Sequence, residues 1–242
     1  RYDVIMVSTS PPVLAGWFVA MAAKVTSARF IYHCMDIHPE IGHISGEFRN
    51  PRVFSLLSRL DRWTCTQARP VVVLSDDMAE SLIARRPEKP PETTVINNFS
   101  LPSEGAEPDE LPFSWPNEPF VLLFAGNIGR FQGLDALVDA MARLRDRQDI
   151  RLVMMGDGTE KERLCRKAEE SGAQVSFVGH QSVEVAKAAM ARASAGFVSL
   201  VPELYRYAYP SKTMTYLEQG CPVLVAVEVD SGLARDVTGN SA

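Results

Sequence analysis

Cysteine is scarce in this chain of 242 residues: Cys34, Cys65, Cys165 and Cys221 lie far apart and form no C-x-x-C pair. That excludes a disulfide scaffold and fits a reducing compartment. Histidine is equally scarce. His33, His38 and His43 lie close together, but no tetrahedral ligand spacing accompanies them, so structural roles and no metal site are expected. A basic excess is also absent. The formal charge is −5, with 11 Lys and Arg against 10 Asp and Glu in residues 1–100 and 14 against 20 in 101–242, which gives no support to nucleic-acid binding. The longest apolar run, Pro11 to Ala23, falls short of the roughly 20 residues that span a bilayer. The chain opens on Arg1-Tyr2-Asp3 and enters a strand-like run with no leader pattern. A soluble or at most peripheral protein is the expectation.

What is present is ordinary globular composition, 46% hydrophobic and 23% charged, in which short β-branched runs alternate with longer amphipathic stretches. This predicts βα units on parallel sheets. In the first part we read strands Val4–Val7, Arg29–His33, Val71–Leu74 and Thr93–Ile96, and helices Val13–Lys24, Pro51–Thr66 and Asp76–Arg85, with a loop before Pro51. Pro51 suits a first helical turn and Ser75 an N-cap. From Phe99 to Pro119 the composition turns to Pro, Glu and Ser without helical period, which reads as a linker.

Alternation then restarts. Strands are read at Phe120–Ala125, Arg151–Met155, Gln174–Val178, Gly196–Leu200 and Pro222–Val225. Helices are read at Leu134–Arg145, Glu160–Ser171, Val183–Ala191 and Ser211–Gln219. The expected organisation is a partial N-terminal Rossmann-like domain over 1–100, a linker over 101–118 and a C-terminal Rossmann-like domain over 119–242. Both ends read as unfinished, the sheet starting in mid-fold and a helix from Leu233 to Val237 stopping near Ala242, so a fragment is expected.

Four loops at strand C-termini carry candidate chemistry. Gly126-Asn127-Ile128-Gly129-Arg130-Phe131-Gln132-Gly133 lies between strand and helix, where glycines let backbone N–H groups approach an anion and Arg130 is able to pair with phosphate; a plain tight turn is the alternative. Met155-Gly156-Asp157-Gly158 repeats the arrangement, with Asp157 either capping the following helix or holding a hydroxyl. Phe177-Val178-Gly179-His180 ends a third strand. Tyr209-Pro210-Ser211-Lys212-Thr213 opens a helix, where Ser211 and Thr213 offer donors and Lys212 a point charge, or where Ser211 is simply an N-cap. Four such loops on one sheet edge favour a nucleotide diphosphate. A nicotinamide-dependent dehydrogenase shares such a sheet, but the chain has neither the G-x-G-x-x-G turn nor its downstream acid.

Residues Phe120–Val237, with GNIGRFQGL, MGDG, FVGH and YPSKTMTYLEQGCPVL, resemble the C-terminal domain of family 4 glycosyltransferases of the bacterial cell-surface polysaccharide branch. Residues 2–100 are similar to the later part of that family's N-terminal domain, through Ser10-Pro11-Pro12, Asp36-Ile37-His38-Pro39-Glu40, Val72–Ser75 and Ile96-Asn97-Asn98. The resemblance implies the GT-B fold, two Rossmann-like domains with parallel sheets facing across a cleft, the first incomplete here. It implies transfer of a sugar from a nucleotide diphosphate-sugar to a lipid-linked or saccharide acceptor, with retention of configuration and neither metal nor cofactor.

By the same likeness Gly126, Asn127, Gly129, Arg130, Ser211 and Lys212 face the donor diphosphate. Gly156, Asp157 and Gly158, the Gly179-His180 loop, and Pro210, Thr213 and Thr215 complete the donor site. Asp36, Arg130 and Lys212 are the catalytic candidates, with loop capping as the other reading of Asp36. The sequence departs from the pattern where two glutamates eight positions apart are usual: those places hold Tyr207 and Thr215, with Glu203 and Glu218 out of register, and Gln132 replaces a usual lysine. A non-catalytic nucleotide-sugar-binding fragment or pseudoenzyme is therefore the alternative. On the helix Pro51–Thr66, Arg52, Arg59 and Arg62 form a stripe suited to anionic lipid headgroups or a lipid diphosphate, or to plain solvation. A cytoplasmic location, at the inner face of the membrane, goes with that reading.

Overall fold

The computed structural model describes residues 2–44, 46, 48–100, 108 and 110–239. Its contacts divide it into two compact units.

Unit 1 holds a four-stranded parallel sheet in the order β1 (Val4–Ser8), β2 (Arg29–Cys34), β3 (Val71–Val73), β4 (Thr93–Val95). Its helices are α1 (Leu14–Thr26), α2 (Glu40–Ile44), α3 (Pro51–Gln67) and α4 (Asp76–Ala84). The starts of the two longest-expected turns of helix are chemically defined. Asn50 Oδ1 accepts the Arg52 N–H at 3.0 Å with Pro51 in the first turn, and Ser75 Oγ accepts the Met78 N–H at 3.3 Å. The one helix absent from the sequence reading is α2, whose five residues include Gly42 and follow Pro39, features that read as a loop.

Beneath the helices Arg85 joins a buried ionic cluster. Its guanidinium donates to Asp61 Oδ2 at 2.6 Å and to Glu40 Oε2, while Tyr32 donates to Asp61 Oδ1 at 3.2 Å. Burial pushes the Asp61 and Glu40 carboxyls up, against the pull of Arg85.

Unit 2 carries a five-stranded parallel sheet in the order β7-β6-β5-β8-β9, from β5 (Phe120–Ala125), β6 (Ile150–Met155), β7 (Val175–Val178), β8 (Ala195–Ser199) and β9 (Val223–Ala226). Its helices are α5 (Leu134–Arg143), α6 (Lys161–Ser171), α7 (Val183–Arg192) and α8 (Lys212–Glu218). Being central, β5 and β6 read as continuous apolar runs, and Leu122, Phe124, Leu152 and Met154 pack with Leu137, Met141 and Leu164 from α5 and α6.

The strand order reverses between β5 and β8, which pair only at Leu122–Ala195 and Leu123–Gly196. Tyr216 of α8 continues that ladder: its hydroxyl donates to Leu123 O and accepts the Ala125 N–H, both at 2.9 Å. Only a glycine fits opposite the ring, since a Cβ on Gly196 would overlap it. Tyr216→Phe leaves both backbone groups short of a partner, and thermal denaturation should register a loss of about 1–3 kcal/mol.

The units do not follow the expected boundaries. Pro202–Tyr209 and the chain from Glu228 onward, both placed by sequence in the 119–242 domain, belong to unit 1. Asp36 forms an isolated bridge with Ala208, and Ile37 N–H donates to Tyr207 O at 2.8 Å. A final helix, α9 (Gly232–Gly239), has its first amide held by Asp77 Oδ2 at 2.6 Å, and Tyr209 donates to Asp236 at 2.8 Å. These ties are long-range hydrogen bonds, which leave no periodic trace in the sequence. Within the expected linker 101–118, residues 101–107 and 109 lie outside the described residues, and 110–118 carry neither helix nor strand.

Candidate functional site

In a parallel sheet every strand points its C-terminus to one edge, so the turns after β5, β6 and β7 stack side by side. The Gly126 N–H donates to Met155 O and the Gly156 N–H to Val178 O, both at 2.9 Å. Gly156 has φ 133°, and a Cβ there would strike the Gly126 carbonyl, so the two turns approach as closely as bare backbone allows.

Above them opens a cavity of about 490 Å³, within the range of small-molecule sites. Gly126, Asn127, Gly156, Asp157 and His180 line it from the strand ends, and Ser182, Val183 and Ala186 from the first turns of α7. Ser182 caps α7 through the Val185 N–H at 3.3 Å, so that helix directs its positive end at the cavity.

Asp157 does not cap α6, contrary to one sequence reading; the residue preceding that helix, Glu160, makes no side-chain cap either. Instead its carboxylate spans two turns, accepting from Lys161 Nζ at 2.6 Å and from the His180 N–H at 2.9 Å. The Lys161 bond, then the His180 amide, hold the carboxyl below its ordinary range. Gly179 lies against this carboxylate, and Gly158 against the Ile128 carbonyl.

Lys212 departs most from expectation. Its ammonium is out of contact with solvent, 4.0 Å above the centre of the Phe124 ring, and has no hydrogen-bond partner among the described residues. It lies beneath the cavity wall: a Cβ on Gly126 would stand 3.1 Å from Nζ. Desolvation pushes its pKa down to about 8. Thr213 Oγ1 and Gln132 Oε1 are likewise buried without partners. Ser211, for which the sequence offers an N-cap as the alternative to donor binding, makes no capping bond. Pro210, Ser211, Thr213 and Thr215 do not line the cavity.

Gly129 and Arg130 stand apart from these residues. They line a smaller hollow of about 220 Å³ with Asp135, Glu160 and Arg163. Arg130 Nε lies 3.3 Å from Glu160 Oε1 with its side chain 61% exposed, a weak tether that leaves it free to swing. Asp36 belongs to unit 1, where burial raises its carboxyl against the opposing pull of His38. Phe124, Glu160 and Ser182 were missed by sequence reading. Ser182 carries a capping signal before Val183, whereas Phe124 looks like any core residue and Glu160 like any surface acid. Among the described residues no group of three or more His, Cys, Asp or Glu is placed to hold a metal ion.

A parallel sheet with a switch point, glycine turns at its carboxyl edge and a cavity above them is the arrangement in which open α/β sheets hold their ligands; with the parallel sheet of unit 1 it gives a partial GT-B fold. Two family models agree. "Glycosyl transferases group 1" matches residues 119–240 and "Glycosyl transferase 4-like domain" residues 1–98. The chain belongs to the group 1 glycosyltransferases.

It is similar to "Probable glycosyltransferase WbjE" of Pseudomonas aeruginosa, 24% identical over 99% of this chain and 61% of that protein. Among solved structures it is similar to HepE from Anabaena in complex with UDP, with a TM-score of 0.68 and 19% identity over 97% of this chain and 62% of that one. WaaG, a glycosyltransferase involved in lipopolysaccharide biosynthesis, gives a TM-score of 0.63 and 16% identity over 91% of this chain and 65% of that one. The chain thus spans about three fifths of the curated relatives it matches, 61% and 59% of their lengths. Among the described residues no helix is long and apolar enough to cross a membrane.

Proposed function

We propose that this chain is the donor-binding part, with a portion of the acceptor side, of a glycosyltransferase of bacterial surface polysaccharide biosynthesis. It takes a nucleotide diphosphate-sugar, a uridine diphosphate-sugar by analogy with HepE, and transfers the sugar to a lipid-linked or saccharide acceptor. One observation carries the reading: the buried ammonium of Lys212, which has no hydrogen-bond partner among the described residues, lies directly under the glycine turn that lines the cavity. An uncompensated buried cation is costly, and an anion brought to the turn would compensate it.

In this reading the amides after Gly126 and Gly156 and the Lys212 ammonium hold the diphosphate, and Arg130 leaves Glu160 to join them. The acceptor hydroxyl then bonds to the anomeric carbon as the bond to the diphosphate oxygen breaks, and the leaving phosphate takes the hydroxyl proton. The cationic groups stabilise the charge that develops on the leaving group, so neither metal nor cofactor enters the scheme. Retention of configuration, a role for Asp36 on the acceptor side, and a cytoplasmic place at the inner membrane face, with the α3 arginines against anionic lipid, belong to the same proposal.

Calorimetric titration of the chain with UDP, GDP and their sugars tests it. Binding of one nucleotide in the micromolar range is the expected result; no binding of any overturns the donor site. Binding without transfer by the full-length protein would favour the non-catalytic reading, for which the missing glutamates at Tyr207 and Thr215 speak.

A further inference from the structure

Unit 1 holds a second concave site whose chemistry is unlike the first. Between the second half of α3 and the turn after α4 lies a hollow of about 330 Å³ lined by Arg59, Arg62, Trp63, Arg85, Arg86 and Glu88. Four arginines line it in a chain of net charge −5. Arg85 is committed to Asp61 and Glu40, although its Nε is buried without a hydrogen-bond partner among the described residues. Arg59, Arg62 and Arg86 have no carboxylate within ion-pair distance among the described residues, and Glu88, which shares the hollow, pairs with none of them.

Arg62 is held in place, its Nε donating to Ser58 O at 3.1 Å, which leaves the outer nitrogens of its fork uncommitted to any carboxylate among the described residues. Trp63 supplies a rigid wall. Unpaired planar forks around a pocket suit phosphate oxygens, which accept two parallel hydrogen bonds from each guanidinium.

We propose that this groove binds a phosphate-bearing anion, either the headgroup of an anionic lipid or a water-soluble or lipid-linked diphosphate. The inference deepens the proposed membrane-side role of α3 by confining it to one pocket. Arg52, on the same helical stripe, lies outside that pocket. Loose electrostatic attraction would use Arg52 as readily as Arg59; a built site would not.

The test measures binding of inorganic pyrophosphate by calorimetry in a Lys212→Met background, which weakens the donor-site contribution by about ten- to a hundredfold. Arg59→Gln, Arg62→Gln and Arg86→Gln together should weaken it at least about tenfold, and Arg86→Gln alone, at an exposed side chain with no ion pair, about threefold or more; Arg52→Gln should leave it within about twofold.

Sedimentation with phosphatidylglycerol and with phosphatidylcholine vesicles separates the sources. Binding to the anionic vesicles alone, lost in the triple variant, assigns a lipid headgroup. Pyrophosphate binding without vesicle binding assigns a diphosphate that is not part of a bilayer surface. No binding of either, binding indifferent to the groove substitutions, or equal weakening by Arg52→Gln would overturn the site. UDP titration of the triple variant with Lys212 intact reports on the donor cavity separately, so failure of the groove and failure of the donor reading are distinguishable.

Discussion

Lys212→Met should weaken nucleotide diphosphate binding by about ten- to a hundredfold and yet raise the thermal midpoint of the chain. The two effects share one cause. In the folded protein the ammonium is stripped of water and has the Phe124 ring as its neighbour but no hydrogen-bond acceptor among the described residues. Methionine keeps the length and apolar stem and drops the charge, which relieves the folded state of about 1–3 kcal/mol. Binding then loses the cation placed under the turn.

The pH dependence follows from the lowered pKa of about 8. Because the unfolded chain holds this proton up to a higher pH than the folded one, the native protein gains stability as pH rises from about 8 toward the ordinary lysine value, and loses it again as pH falls. Lys212→Met abolishes that gain. Affinity for the diphosphate runs the other way. It is full below pH 8 and falls by up to about tenfold per pH unit above, with proton uptake on binding, because only the charged form compensates the anion. Calorimetry between pH 7 and 9 in buffers of different ionisation enthalpy reads both affinity and proton count. A flat profile with no uptake would place the diphosphate away from Lys212.

Gly156→Ala should be the most damaging single-methyl change in unit 2. Two penalties add there. At φ 133° a side chain is strained, and the new methyl would collide with the Gly126 carbonyl, a backbone atom unable to rotate aside. Together they amount to about 3–5 kcal/mol, or a fall of roughly 10 °C or more in thermal midpoint for a chain of this size.

Gly220→Ala is the control. Its φ of 64° is also unfavourable to side chains, but no atom lies within 4 Å of the added methyl, so a cost near 1 kcal/mol is expected. Equal losses at the two positions would show that backbone strain alone, not the stacking of the two turns, makes Gly156 necessary. Nucleotide binding by whatever Gly156→Ala protein remains folded should be weaker too, because spreading the turns moves the amides that line the cavity.

The strand and helix pattern was legible because it depends on short-range periodicity: Phe120–Ala125 is a strand with the expected ends, and most other elements shift by one or two residues. α2 was not, since a five-residue helix containing Gly42 has too few turns for a period to emerge. The cavity residues Gly126, Asn127, Gly156, Asp157 and His180 were legible for a topological reason: in a parallel sheet, glycines after successive strands must gather at one edge.

What escaped were pairings between distant positions. The burial of Lys212 depends on Phe124 and Gly126, the tether of Arg130 on Glu160, and the role of Asp157 on the His180 amide rather than on its own helix. No local pattern encodes them. The membership of Pro202–Tyr209 in unit 1 was hidden for the same reason, since a backbone bridge to Asp36 places no demand on residue type at Ala208.

The clasp between Asp77 and Gly232 also sets a timetable for synthesis. The two residues are separated by 155 positions, and all of unit 2's sheet is encoded between them. At ordinary translation rates roughly 8–30 s pass between the emergence of one and of the other. Throughout that interval Asp77 waits with its acceptor unfilled, so the unit whose strands leave the ribosome first is the last to close. Nascent chains stalled before Gly232 would carry the strands of both sheets but lack α9, the helix that Asp77 holds in unit 1.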